Sequence, residues 1–238
     1  MKQTEKQKGR LPEDSLTESR LTDLAAPLLR WYGNNARRLP WREAPDPYGV
    51  WISEIMLQQT RVEAVIPYYE RFITRFPTLE DLAAAPEEAV LHAWQGLGYY
   101  SRARNLHQGV REVQAQYGGQ IPADRTEISG IRGIGDYTAG ALLSIIHNQP
   151  EPAVDGNVLR VFSRLFAILE AVDQTKIKKR IAGLVKAMMP QEQFLPPGLP
   201  RGYTPPGFKG QMGKLAPLSK DAKKKRKLAR DARKKSKK

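Results

Sequence analysis

Two carboxylates, Glu54 and Asp155, are the residues on which this sequence can build proton and charge chemistry. Glu54 lies in YGVWISEIMLQQT (48–60), where apolar residues recur three and four apart. On a helix it shares a face with Val50, Trp51, Leu57 and Gln58. A carboxyl against apolar neighbours is harder to ionise, so it can keep its proton near neutral pH and act as a general acid. Read from these residues alone, a surface helix glutamate is the favoured assignment. Asp155 opens Asp155-Gly156-Asn157, just ahead of an apolar helical pattern, and taken alone it reads as a helix N-cap. His92, His107 and His147 have no metal-ligand spacing, and Ser53 and Ser101 lack the context of a catalytic triad. The chain has no cysteine, which excludes disulfides, thiolate-bound zinc or iron–sulfur centres, and a thiol nucleophile.

The third chemical feature is a turn. Residues 125–147 read RTEISGIRGIGDYTAGALLSIIH: a short helical pattern, then Ile131-Arg132-Gly133-Ile134-Gly135, then a longer helix. Two glycines separated by one apolar residue permit a tight turn and leave backbone N–H groups facing outward. At the start of the second helix those donors, with the helix dipole, suit a phosphate. Helix, Gly-Ile-Gly turn and helix together look like a helix–hairpin–helix DNA-binding element; a plain corner between two helices is the alternative.

Helical elements must carry these residues. Asp46-Pro47 predicts an N-cap followed by Pro at the first helical position. Thr78 opens TLEDLAAA, and Pro86 opens PEEAVLHAWQGLG, with Gly96 and Gly98 as stop signals. A helix over about 100–116 ends before Gly118-Gly119. Asp124 and Glu127 form a capping-box pattern. DYTAGALLSIIH, VLRVFSRLFAIL and KIKKRIAGLVKAMM complete the series. No alternating strand runs occur between them, so the expected fold class is all-α. At 238 residues this is one domain or two small lobes.

Residues 39–42 (LPWR), 46–72 (DPYGVWISEIMLQQTRVEAVIPYYERF), 96–106 (GLGYYSRARNL), 133–141 (GIGDYTAGA) and 154–161 (VDGNVLRV) are in register with one family. Over about residues 21–190 the chain resembles adenine DNA glycosylases of the MutY type, within the HhH-GPD superfamily. The resemblance implies a two-lobed helix–hairpin–helix glycosylase fold and hydrolytic removal of adenine mispaired with 8-oxoguanine or guanine, in base-excision repair. It implies that Glu54 is the acid that protonates adenine N7 and that Asp155 stabilises the oxocarbenium-like sugar, by the two-carboxylate logic of sugar hydrolases. Adenine must first leave the duplex. By resemblance Gln58, Gln59, Thr60 and Tyr99 plug the void and hold the opposite purine, with Leu57 nearby. Trp41 and Arg42 resemble residues near the adenine pocket, Tyr137 and Asn157 polar partners of the catalytic centre, and Gly133 and Gly135 the hairpin glycines. Tyr137 stands where endonuclease-III-like relatives carry the lysine that forms a Schiff base, which implies a monofunctional enzyme. Those relatives also lack an acid at the position of Glu54. The implied partner is double-stranded DNA with A·8-oxoG or A·G mispairs, bound by a monomer, and hairpin carbonyls could hold Na⁺ or K⁺.

The sequence also departs from the family. The four cysteines that hold a [4Fe–4S] cluster in most members are absent, so that cluster cannot form here. Arg132 replaces the usual hairpin proline. The resemblance stops after Gln193, and the 8-oxoguanine-reading domain is not recognisable. A truncated, frameshifted or fused reading frame is the expectation, with apolar surface left uncovered on one lobe. An inactive DNA-binding remnant, or a relative acting on another base, are the alternative functions. Residues 1–20 read as a loose polar segment, 191–219 as a Pro/Gly-rich linker and 220–238 as a disordered basic tail. That tail holds 12 Lys and Arg against 2 Asp, so of the net +14 only +4 belongs to residues 1–219. A basic tail suits phosphate contacts or simply solvent. No apolar run is long enough to span a membrane, and the N-terminus lacks a signal-peptide core, so a soluble cytoplasmic protein is expected.

Overall fold

Asp46 starts the helix on which the rest of the molecule is built. Its carboxylate accepts from the backbone N–H groups of Tyr48 and Gly49, each at 3.1 Å, and Pro47 takes the first helical position. Thr78 and Asp124 cap in the same way, accepting from Asp81 N–H at 3.1 Å and from Thr126 and Glu127 N–H at 2.8 and 3.0 Å. The computed structural model describes residues 18–43 and 46–189, and these form helices only. In chain order they are α1 (Glu18–Asn35), α2 (Pro40–Glu43), α3 (Pro47–Leu57), α4 (Val62–Arg75), α5 (Leu79–Ala83), α6 (Glu87–Trp94), α7 (Tyr100–Tyr117), α8 (Arg125–Gly130), α9 (Asp136–His147), α10 (Gly156–Leu165) and α11 (Thr175–Met188). The expected linker and basic tail, and most of the polar N-terminal segment, lie outside the described residues. Helix α1 starts within that N-terminal segment, at Glu18.

Helices α1, α2 and α4 are not in the expected series, and α10 ends earlier than expected. Helix α4 has no cap signal: Arg61 makes no side-chain cap bond and Pro67 lies inside the helix. It forms because Val65, Tyr69 and Phe72 line one face at helical spacing and bury it, which outweighs the missing proline donor. Helix α10 stops at Leu165 rather than running through VLRVFSRLFAIL. Ala167 turns left-handed at φ 47°, Ile168 N–H bonds back to the Ser163 carbonyl at 2.9 Å, and Ile168 is thereby returned to the core.

Two lobes result, each with its own apolar cluster. The larger centres on α3, eight of whose eleven residues are buried. It packs on α2, α4, α7 and α9 and contributes Trp51 to a core shared with Phe72, Trp94 and Leu142. The smaller cluster joins Phe162, Ile168, Ile177, Ile181 and Val185 of α10, α11 and the turn between them. Helix α1 lies on α11, so the first and last described helices belong to the same lobe. Leu28, Trp31, Val161, Leu165 and Leu169 of this lobe are exposed. The ion pairs Arg125–Glu151 and Glu151–Lys186, at 3.5 and 2.9 Å, tie the hairpin side to α11.

The hairpin (131–135, between α8 and α9) rests on α7 through two glycines. A Cβ on Gly109 would lie 2.5 Å from the Arg132 carbonyl oxygen, and one on Gly133 would meet Asn105 at 2.9 Å. Gly109→Ala must therefore push the hairpin off α7. It is expected to cost about 1–3 kcal/mol, seen as a drop of several degrees in Tm.

Candidate active site

The packing of α3 on α9 brings Glu54 to Tyr137. Glu54 is the only charged side chain on the largely buried α3, and it is itself largely sheltered from water. Burial pushes its carboxyl above the ordinary value of 4.5; a hydrogen bond from Tyr137 and the charge of Arg42 pull partly the other way. The net direction is upward, as an acid that must hold its proton requires. The Tyr137 hydroxyl is in turn pushed up by burial, then by the charges of Glu54 and Asp155, so this ring lies within electrostatic reach of both carboxylates.

Asp155 is the N-cap of α10, as its sequence context suggests, but its carboxylate is also half-exposed at a cleft. Oδ1 accepts from Val158 N–H at 2.8 Å and Oδ2 from the Asn157 side-chain amide at 2.9 Å. Asn157 is itself held, its Oδ1 accepting from Arg160 at 3.3 Å. Capping and exposure at the cleft therefore coexist at this carboxylate, whose two oxygens are both held. The cleft has a volume of about 700 Å³ and is lined by Tyr137 and Asp155 together with Arg125, Lys178 and Lys179. None of the three was singled out in the sequence: Arg125 opens α8, and Lys178 and Lys179 reach the site only because α11 returns to it.

The remaining expected site residues fall into three groups. Trp41 is buried, packed edge-on against Tyr69 with ring centroids 5.2 Å apart, so it supports the site from within the core. Arg42 spans from the Tyr32 ring, 5.5 Å away, to within electrostatic reach of Glu54. Leu57, Gln58, Gln59 and Thr60 follow one another off the end of α3. Leu57 packs against the larger core, and the Gln58 amide donates to Thr138 of α9 at 3.4 Å. Gln59 is exposed in the left-handed region at φ 57°, and the Thr60 hydroxyl donates to the Gln58 carbonyl at 3.3 Å. Tyr99, before α7, is also left-handed, at φ 48°, and 64% exposed.

Of the two hairpin glycines, only Gly133 needs to be glycine for its conformation, at φ 83°. Gly135 is extended at φ −91°, with open space where a side chain would be. That clearance leaves no side chain on Gly135 beside the first N–H groups of α9, which lack intrahelical acceptors. One feature opposes an anion there. Asp136, the first residue of α9, carries a fully exposed carboxylate, paired with Arg125 at 3.4 Å. If this turn takes DNA phosphates, as the resemblance implies, Asp136→Asn is expected to tighten duplex binding about two- to fivefold at low salt, an advantage that shrinks as salt rises; a titration at two ionic strengths measures it.

Without cysteine no thiolate ligands for an iron–sulfur cluster exist, so the family's cluster does not fit this chain. Among the described residues no three His, Cys, Asp or Glu are grouped to hold a metal ion, and no helix is long and apolar enough to cross a membrane.

A helical two-lobe fold, a Gly-Ile-Gly hairpin and an acid on a buried helix beside it have a counterpart among known proteins. The chain belongs to the HhH-GPD superfamily of base excision DNA repair proteins, whose family profile matches residues 52–187. It is 47% identical over 150 residues to the adenine DNA glycosylase of Rattus norvegicus, covering 59% of this chain and 29% of that protein. To the adenine DNA glycosylase of Buchnera aphidicola subsp. Acyrthosiphon pisum (strain APS) it is 40% identical over 164 residues, covering 68% of this chain and 47% of that one. The chain thus spans less than half the length of these curated relatives. Its fold is similar to the solved structure of a thermostable thymine-DNA glycosylase, with a TM-score of 0.65, 26% identity, and coverage of 74% of this chain and 81% of that one.

Proposed function

We propose that this chain is a monofunctional DNA glycosylase that hydrolyses the N-glycosidic bond of adenine mispaired with 8-oxoguanine or guanine. The reading is carried by one observation: α3 packs on α9 so that sheltered Glu54, its carboxyl pushed up by burial, lies within reach of Tyr137, and that tyrosine lines one cleft with Asp155. Similarity to adenine DNA glycosylases supports adenine over other bases.

The chemistry follows from the two acids. Protonated Glu54 gives its proton to adenine N7, which makes the purine a leaving group. The C1′–N9 bond breaks with its electron pair leaving on the base, and positive charge develops on the sugar. The Asp155 carboxylate, held by its cap bonds, stabilises that cation. Water then attacks C1′ and its proton passes to solvent, from which the Glu54 carboxylate is reprotonated, leaving free adenine and an abasic site. Tyr137 offers a phenol where a Schiff base would need an amine, so the strand stays intact.

Single-turnover reaction with a duplex carrying one A·8-oxoG pair tests this directly. Scission at the adenine is expected only after alkali. Scission before alkali would point to lyase chemistry, and release of another base to a different specificity. Tight duplex binding with no base release would favour an inactive DNA-binding protein.

A further inference from the structure

Arg102, in the first turn of α7, was not among the residues singled out by the sequence, yet it is among the most heavily bonded side chains of the larger lobe. One terminal nitrogen, Nη1, donates to the carbonyls of Ile55 and Met56, both at 3.1 Å, and to that of Gln58. The other, Nη2, donates to the carbonyls of Leu97 and Gly98 at 3.0 and 3.3 Å and to the Thr60 hydroxyl at 3.4 Å. The guanidinium carbon also lies 5.6 Å from the Trp94 ring and 5.5 Å from the Tyr99 ring. The side chain is half-buried, and its acceptors come from two separate segments: the end of α3 and the turn between α6 and α7.

Each of those segments carries a residue in an unusual state. Gln59 and Tyr99 are both non-glycine residues at positive φ, and both present exposed side chains. Left-handed backbone is disfavoured for such residues and persists only when the surroundings hold it. Here the holding group is visible: the carbonyls flanking Gln59, at Gln58, and those preceding Tyr99, at Leu97 and Gly98, are the ones Arg102 binds. A cation at the C-terminus of α3 is also favoured by the helix dipole.

We propose that Arg102 is a positioning residue that presets Gln59 and Tyr99 to enter the duplex when the target base is extruded, by clamping the two loops that carry them. The proposal rests on the glycosylase reading above for the identity of the duplex. A planar fork with donors on two sides can bridge two loops; a lysine ammonium, with the same charge, cannot reach both. Helix α7 thereby links two DNA-facing features, since it also seats the hairpin through Gly109 and Asn105.

The experiment uses the full chain and a duplex with 2-aminopurine next to the target adenine, whose fluorescence rises when the neighbouring base leaves the stack. Arg102→Lys is expected to melt cooperatively and to bind fully matched duplex as wild type does. Its rate of fluorescence rise and its rate of adenine release should both fall, on the order of tenfold to a hundredfold. The pH profile of the remaining release should be unchanged. In a Gln59→Ala/Tyr99→Ala background, Arg102→Lys should make no further difference, because it acts through those residues. Wild-type extrusion by Arg102→Lys, or an undiminished loss in the double-alanine background, overturns the proposal. If Arg102→Lys does not fold, exposed Gln59 carries the test. Gln59→Asn, which tolerates the left-handed region, should extrude the base faster than Gln59→Val, which does not, and equal rates overturn it. Extrusion by wild type without adenine release counts against the glycosylase reading and leaves this proposal standing.

Discussion

Glu54→Gln is expected to lower single-turnover adenine release by about 10²–10⁴-fold, the range spanned by loss of a positioned general acid. The amide keeps the shape and can still accept from Tyr137, but it has no proton to give N7. The pH dependence has a definite sign. Burial raises the Glu54 carboxyl above 4.5, so wild-type release should be highest where Glu54 is protonated and should fall as pH rises through its raised pKa. Stability moves the same way. A raised folded-state pKa means the folded chain binds the proton more tightly than the unfolded chain. That contribution is fully present below 4.5 and is lost as pH rises through the folded pKa. Glu54→Gln, which never ionises, should therefore match wild-type Tm at acidic pH and exceed it above neutrality. Melting curves at the two pH extremes, run beside the release assay, check both halves. A variant that is inactive yet more stable is the signature of a residue kept for chemistry.

Asp155→Asn separates the two roles of Asp155. Asparagine is as good an N-cap as aspartate, so α10 should keep its first turn and Tm should change little. What disappears is the negative charge that the proposed mechanism sets against the sugar. The expected loss in adenine release is on the order of 10²-fold or more, with duplex affinity retained or slightly increased. Asp155→Ala removes the charge and the bond to Val158 N–H together, so it should add about 0.5–2 kcal/mol of destabilisation to the same loss of rate. A residue that only capped the helix would show the reverse: a harmless Asn and a damaging Ala. The pair of variants, read by single-turnover release and thermal melting, decides between them.

Local signals in the sequence determined the helices and their starts. Asp46-Pro47, Thr78 and Asp124 are caps whose partners lie two or three residues away, and the structure contains those bonds. Gly96 and Gly118 follow the ends of α6 and α7 at positive φ, a property of a single residue, whereas Gly98 lies in the turn that leads into α7. The two carboxylates and the hairpin could be picked out, but their immediate neighbours state only a helix glutamate, an N-cap and a tight turn; the resemblance supplied the chemistry proposed for them. Helix α4 and the end of α10 were less legible, since burial of a face formed the first and a return to the small core stopped the second.

Only the tertiary structure decided how these pieces act on one another. The upward shift of Glu54 depends on α3 being enclosed by α2, α4, α7 and α9, which no window of sequence states. Tyr137 senses both acids because α9 packs on α3 while α10 starts nearby. Arg102 was invisible for the same reason. Its acceptors lie 4 or 5 residues before it and 42 to 47 residues before it, and backbone carbonyls carry no residue-specific mark in a sequence. Spacing along a chain records bonds that close within one helical turn; bonds that close between helices exist only once those helices have packed.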